Sequence, residues 1–284
     1  MARNRLLVFA RKPAPLQVTW AGYVGTTGLS AIDYLVSDRY STAADEGPYC
    51  REKVIRMPDG YVCYDPPDYA PKVGPLPSKR KDGITFCSFN NPAKINEDVV
   101  SVCARILGRV ASARLLIKYK GIDSIAYADR LAAMFKAEGV ERSRLMLEGL
   151  SPHAELLARY NDVDIALDPF PYSGGLTTYE ALWMGGPVIT VPGETFASRH
   201  SQIHLTAAGL PELVARDYDD YVTVAVGLAN DAARLGGLRA ELRGKVSSSP
   251  ACNGGKFAEG FAALMRDIWR NWCLSQGGDR QQAP

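Results

Sequence analysis

From Ile84 onward the apolar positions alternate between two spacings. Short runs at Ile84–Phe89, Arg114–Tyr119, Leu145–Glu148, Ile165–Asp168 and Val188–Val191 predict strands. Between the first two, Glu97–Leu107 sets Val99, Val100, Val102, Cys103, Ile106 and Leu107 on one helical face. Helices are also predicted at Ser124–Glu138, Pro152–Tyr160 and Thr177–Met184, with Gly139 and Gly185-Gly186 as stops and Ser151 where an N-cap belongs. Strand and helix alternating at this pitch means parallel β-α-β units, an α/β doubly wound sheet. The tail predicts helices alone, at about Ser198–Ala208, Tyr218–Asn230, Ala232–Arg243 and Lys256–Trp272, before a polar end, Ser275–Pro284, expected to fray.

The first part of the chain is less regular. Leu6–Ala10, Gln17–Trp20, Asp33–Asp38 and Glu52–Met57 read as strands, with a glycine-rich stretch over residues 21–28. Pro58, Pro66, Pro67, Pro71, Pro75 and Pro77 then block helix and remove backbone donors, so Pro58–Lys81 is an ordered crossing or a linker. A domain boundary is expected at its end, dividing the chain into 1–80 and 81–284.

Composition narrows the class. The 284 residues suit one large domain or two modest ones. A net charge of +2, from 33 basic and 31 acidic residues, argues against nucleic acid as partner. No apolar run approaches the roughly 20 residues of a membrane span, and Arg11-Lys12 closes Leu6–Ala10 too early for a secretory core. Six scattered cysteines without a C-x-x-C pair read as reduced thiols in a cytoplasm-like compartment. With three histidines in the chain, no metal site is assigned: His200 and His204 have the spacing of a metal pair but lack a third ligand, and read as helix-face packing residues.

In an open parallel sheet, ligands bind beyond the carboxyl ends of the strands. Three loops of that kind carry polar residues. Phe89-Asn90-Asn91-Pro92-Ala93-Lys94 sets a lysine at a helix entry, although an isolated lysine in a turn is more often simply solvated. Glu148-Gly149-Leu150-Ser151-Pro152-His153 offers a histidine that alone decides nothing. In Asp168–Glu180, Gly174 and Gly175 permit close backbone approach, Thr177 and Thr178 start a helix, and Glu180 lies one turn inside. That combination has the physics of a phosphate cradle followed by a carboxylate suited to a sugar diol. His200 and Ser201 are adjacent, which prevents a serine–histidine contact on one helix face. The spacing Gly22-x-x-Gly25-x-x-Gly28 is not that of a dinucleotide fingerprint, yet it marks a loop that approaches something closely.

Taken in order, Arg11–Gln17, Trp20-Ala21-Gly22-Tyr23-Val24-Gly25-Thr26-Thr27-Gly28, Asp33-Tyr34, Phe89–Lys94, Asp164–Asp168, Thr177–Gly185 and Pro192–Arg199 resemble the catalytic region of O-linked N-acetylglucosamine transferases, SPINDLY-type proteins and their bacterial homologues. The resemblance runs from about residue 3 to 273. It implies a GT-B-like fold, with a complete C-terminal Rossmann-like lobe over 81–284 and a partial N-terminal lobe over 1–80. It also implies inverting, metal-independent transfer of a sugar, N-acetylglucosamine from UDP-GlcNAc, to Ser or Thr hydroxyls of a protein acceptor in the cytoplasm, with no cofactor beyond the donor. The family's essential lysine falls on Lys94, where a cation would neutralise the departing diphosphate. Asn91 falls near the phosphates, Leu150, Ser151 and His153 at the nucleobase, and Gly174, Gly175, Thr177 and Thr178 at the diphosphate-binding helix start. Glu180 takes the place of the ribose-binding acid, and Ala21 and Gly22 face the sugar.

Three departures keep alternatives open. Val24 replaces a proline after Gly22-Tyr23, which alters the loop's rigidity, while Leu156 stands where animal enzymes stack a histidine on uracil, which admits GDP-fucose as donor and a protein O-fucosyltransferase. Against the family pattern, the chain is also expected to lack the opening strands of the N-terminal lobe. That admits a nucleotide-binding remnant without transferase activity, self-association, or pairing with a missing lobe.

Overall fold

A computed structural model describes residues 4–22, 24–42, 49–79 and 83–279. The chain divides into two units, Met1–Cys63 with Asn253–Pro284, and Tyr64–Cys252. The division therefore falls earlier than the expected boundary near 80, which itself lies outside the described residues, and the last helix belongs with the first unit.

In the first unit a short helix α1 (Leu6–Phe9) precedes three parallel strands, β1 (Val18–Thr19), β2 (Tyr34–Asp38) and β3 (Lys53–Met57), ordered β1-β2-β3. Leu6–Ala10 is thus no strand; its apolar side chains are exposed and pair with no sheet. The long helix α9 (Gly254–Asp279) closes this unit. Phe257 and Phe261 pack on Trp20 with ring centroids 5.9 and 4.9 Å away, and Lys256 pairs with Asp59 at 2.6 Å. The expected fraying from Ser275 is corrected as far as Asp279, which is still helical; residues 280–284 lie outside the described range.

The second unit holds five parallel strands: β4 (Thr85–Ser88), β5 (Arg114–Lys118), β6 (Leu145–Glu148), β7 (Ile165–Leu167) and β8 (Val188–Ile189). Their order, β6-β5-β4-β7-β8, is 3-2-1-4-5 in chain sequence within the unit, the doubly wound arrangement with its switch point between β4 and β7. Helices α2 (Glu97–Arg109), α3 (Ile125–Ala137), α4 (His153–Arg159) and α5 (Leu176–Trp183) are the crossovers, followed by α6 (His200–Ala207), α7 (Tyr218–Asn230) and α8 (Ala232–Ser248). The strands read as near-continuous apolar runs because helices cover both faces: Phe86, Leu115, Leu116, Ile117 and Ile165 are all buried.

Buried polar side chains tie the crossing segment down. Arg239 donates to the carbonyls of Gly74, Tyr160 and Val163, and Arg243 to those of Pro71 and Trp183. The Asp164 carboxylate accepts from the Ser78 and Thr85 amides. Of the two readings of Pro58–Lys81, the ordered crossing holds for residues 64–79.

Candidate functional site

Two loops leave the sheet at its switch point, one after β4 and one after β7. The first makes a single 3₁₀ turn, Pro92–Lys94, whose start is fixed by the Asn91 side chain accepting from the Ala93 amide at 3.0 Å. The turn points Lys94 across the switch point. Its Nζ donates to the Ser173 carbonyl at 2.7 Å and sits 4.2 Å from the Tyr172 ring centroid. Burial pushes the Lys94 pKa down, opposed by the charge of Asp168.

The second loop, Asp168–Gly175, is organised from beneath by Asp168. Its carboxylate accepts from the Gly174 amide at 2.6 Å and the Thr190 hydroxyl at 2.7 Å, while Tyr221 donates to its carbonyl at 3.0 Å. Burial raises the Asp168 pKa to about 6 despite these donors and Lys94. Ser201 donates to the Gly174 carbonyl and shares a hydrogen bond with Thr178 at 2.7 Å. Thr177 donates to Asn90 at 3.1 Å, linking the two loops. A cavity of about 10 Å³ beneath, lined by Ser88, Asn90, Asp168 and Thr178 among others, has room for about one water and is packing rather than a ligand site.

The N-cap of α5 is Gly175, without a side-chain cap, so the threonines do not open the helix as expected. They are already within its first turn and spend their hydroxyls on the neighbouring loop and on α6. The Thr178 amide donates to the Gly175 carbonyl at 3.1 Å, and helix geometry leaves the Leu176 and Thr177 N–H groups without intrahelical acceptors at the turn against which Lys94 docks. Gly174 is obligatory here: a Cβ would come within 2.6–2.9 Å of Thr178 Oγ1, Asp168 Oδ1 and Thr177 Oγ1. Gly175 faces open space.

Glu180 is buried on the same helix, where its Oε1 meets His153 Nε2 at 2.7 Å; burial pushes its pKa up, opposed by His153. Ser151 is not the cap of α4. Pro152 is, and Ser151 Oγ is buried without a hydrogen-bond partner. His200 and His204 are buried neutral, their pKa values pushed down to about 4 and about 3 by desolvation, and His204 packs on the Tyr179 ring at 3.9 Å.

The structure thus brings together Lys94, Asn91, Gly174, Gly175, Thr177 and Thr178, with the Glu180–His153 pair one helical turn inside. Sequence reasoning passed over Asp168, Asn90, Ser201 and Thr190. The signal for Asp168 was an acidic residue ending an otherwise apolar strand.

Gly22 belongs to the first unit, where its amide donates to the Trp20 carbonyl at 2.6 Å and Ala21 beside it holds a positive φ of 53°. Its neighbour Tyr23 lies outside the described residues. The loop is held at its far end by Glu52, which accepts from the Thr26 hydroxyl at 2.6 Å, the Thr27 amide at 2.7 Å and the Thr27 hydroxyl. Burial alone would raise the Glu52 pKa, but these donors outweigh it and hold the carboxyl below its ordinary value. Among the described residues no cluster of three or more His, Cys, Asp or Glu stands ready for a metal ion, and no helix is long and apolar enough to cross a membrane.

Comparison with known proteins points the same way. The "Probable UDP-N-acetylglucosamine--peptide N-acetylglucosaminyltransferase SPINDLY" of Arabidopsis thaliana is 39% identical over 276 residues, covering 97% of this chain and 30% of its own. Its namesake from Solanum lycopersicum is 38% identical over 273 residues, 96% of this chain and 29% of its own. A solved mutant of the Thermobaculum terrenum O-GlcNAc transferase, 36% identical, superposes with a TM-score of 0.87 over 95% of this chain and 51% of that one. TarM, at 14% identity and a TM-score of 0.56 over 82% of this chain and 43% of that one, shares the fold alone. The chain spans about three-tenths of the length of the curated relatives it matches. Its parallel α/β fold is of the GT-B type found in that O-GlcNAc transferase. A family model described as glycosyl transferase family 41 matches residues 1–73 and 75–261, and the chain belongs to that family.

Proposed function

We propose that residues 64–252 form the donor half of a protein glycosyltransferase site, which takes UDP-N-acetylglucosamine and passes the sugar to Ser or Thr hydroxyls with inversion and without a metal. The acceptor hydroxyl attacks the anomeric carbon in line with the diphosphate. Charge gathers on the leaving group as the glycosidic bond breaks, so catalysis needs positive charge placed there in advance. Lys94 and the first amides of α5 are the groups for that task, Gly175, with open space where a Cβ would stand, lets the diphosphate approach the backbone, and Glu180 takes the ribose hydroxyls. The observation that carries the reading is the docking of Lys94 Nζ on the Ser173 carbonyl, at the head of α5. Ammonium and helix start thereby face one anion. The names of the relatives, UDP-N-acetylglucosamine--peptide N-acetylglucosaminyltransferases, support the donor and the peptide acceptor. Asn91 serves through its turn, by aiming Lys94.

Leu156, in place of a histidine that would stack on uracil, favours a second reading with GDP-fucose as donor. Titration calorimetry on the 284-residue chain with UDP and with GDP separates the two. One nucleotide is expected to bind with a dissociation constant on the order of micromolar to millimolar, weakened by Lys94→Ala and by Glu180→Ala. Binding of neither defeats both donors. Transfer of labelled sugar to proteins of an extract then tests the activity itself; binding without transfer leaves a nucleotide-binding remnant.

A further inference from the structure

Glu180 does not stand alone. The Tyr69 hydroxyl lies 2.8 Å from His153 Nδ1, the rings meeting edge to face at 86°, and His153 Nε2 lies 2.7 Å from Glu180 Oε1. Exposure falls along this chain: Tyr69 is 58% exposed, the His153 side chain 40% and that of Glu180 5%. Both ring nitrogens of His153 are taken, so the ring has no nitrogen left to read a nucleobase. A neutral imidazole presents Nε2–H to the carboxylate when Nδ1 accepts from Tyr69, and the phenol therefore selects that tautomer. Oε1 is held by the histidine, which leaves Oε2 to meet a ligand hydroxyl.

We propose that Tyr69 and His153 are positioning residues which aim Glu180 at the ribose diol and make the site selective for ribonucleotides over their deoxy counterparts. The proposal rests on the donor reading above and moves His153 from the base to the sugar of the nucleotide. A carboxylate buried to this depth needs a donor to stay ionised and fixed, and a site built to hydrogen-bond a hydroxyl rejects the analogue that lacks it.

The test is calorimetry on the full chain with whichever of UDP or GDP binds, and with its 2′,3′-dideoxy counterpart. The wild-type chain is expected to prefer the ribonucleotide by about tenfold or more. His153→Ala should cut that ratio below about threefold. His153→Gln, which keeps an N–H donor, should restore part of the ratio, and Tyr69→Phe should fall between. Should His153→Ala unfold, Tyr69→Phe carries the test, since it removes one oxygen from a half-exposed ring. A lowered Tyr69→Phe ratio then supports the pair, and an unchanged one overturns it. Imidazole ¹⁵N shifts provide a second readout, with Nε2 expected to carry the proton in the wild-type chain. A wild-type chain that binds both compounds equally, or a His153→Ala chain with an undiminished ratio, overturns the proposal and leaves the donor reading standing. Failure to bind any nucleotide removes the donor reading and this proposal together.

Discussion

Gly174 and Gly175 are neighbours with opposite surroundings, and substituting each by alanine tests whether the turn before α5 is built to close tolerance. At Gly174 the added Cβ would fall short of ordinary van der Waals contact with three oxygens by roughly 0.5–0.8 Å. None of the three is the free end of a flexible chain. Asp168 is fixed by Thr190 and by the Gly174 amide itself, Thr178 by Ser201, and Thr177 by Asn90. The turn must move, stretching the 2.6 Å bond from the Gly174 amide to Asp168. Overpacking of this kind costs about 1–3 kcal/mol, and losing a hydrogen bond to a charged group adds about 1.5–3 kcal/mol. A destabilisation of about 2.5–6 kcal/mol is therefore expected, which lowers Tm by about 5–24 °C in a domain of this size.

At Gly175 nothing lies within 4 Å of the added carbon. Gly175→Ala should stay within about 0.5 kcal/mol of the wild-type chain. Thermal unfolding measures both variants. Nucleotide titration adds the functional readout, because a shift approaching 1 Å of an anion cradle lowers affinity by about tenfold or more. Equal stability of the two variants, or an unchanged nucleotide affinity in Gly174→Ala, would refute the reasoning.

Two further outcomes follow from groups held away from their ordinary states. Because folding raises the Asp168 pKa from 3.8 to about 6, the folded chain holds that proton more tightly, and stability is lost as pH rises through this window, by up to about 3 kcal/mol. Asp168→Asn keeps the shape and removes the titration, so denaturation midpoints should show its stability relative to wild type rising between pH 4 and pH 6; a pH-independent difference counts against the shift. Ala21 holds a left-handed φ of 53°, where a Cβ costs about 1–2 kcal/mol. Ala21→Gly should accordingly raise stability in urea titration by about 0.5–1 kcal/mol after the entropy of the more flexible unfolded chain is subtracted; a loss of stability contradicts the strain.

The regular half was legible because its signals are local. The strands of the second unit are short, largely apolar runs, two of them closing on an acid at Glu148 and Asp168, and each crossover helix carries its own period. The same local logic failed where a segment has no sheet to join: Leu6–Phe9 is apolar enough for a strand, but strand identity is conferred by a neighbour, and without one the four residues coil. It also failed for the ends of α9, since Trp20 lies more than two hundred residues from the phenylalanines that hold it. At the site, Gly174 and Glu180 could be singled out from residue type and loop position, whereas Lys94 alone read as a solvated turn residue and stood out only through the family resemblance. Asp168 offered only an acid at the end of an apolar strand, because its importance lies in hydrogen bonds to Gly174 and Thr190 that exist only once β7, β8 and α5 are assembled. Ser151 misled for the converse reason: a serine ahead of a helix is a good cap in general, but here Pro152 takes the position.

Lys94 and Asp168 together set the electrostatics of the cradle. Burial lowers the pKa of the lysine and raises that of the aspartic acid, so each shift disfavours a charge, and each charge partly sustains the other. A dianion entering above the Ser173–Gly175 turn breaks that symmetry. It favours the lysine cation, drawing its pKa back up, and disfavours the aspartate anion, pushing a pKa already about 6 further toward neutrality. The Asp168 response takes up protons around its pKa of about 6, so diphosphate binding should be accompanied by proton uptake there and should strengthen as pH falls toward 6. Calorimetry in buffers of different ionisation enthalpy measures the uptake directly. In Asp168→Asn the uptake near pH 6.5 should shrink, leaving what Lys94 and the phosphate itself contribute. Proton release on binding, or an uptake unaltered by Asp168→Asn, would mean that the anion does not sit over this pair.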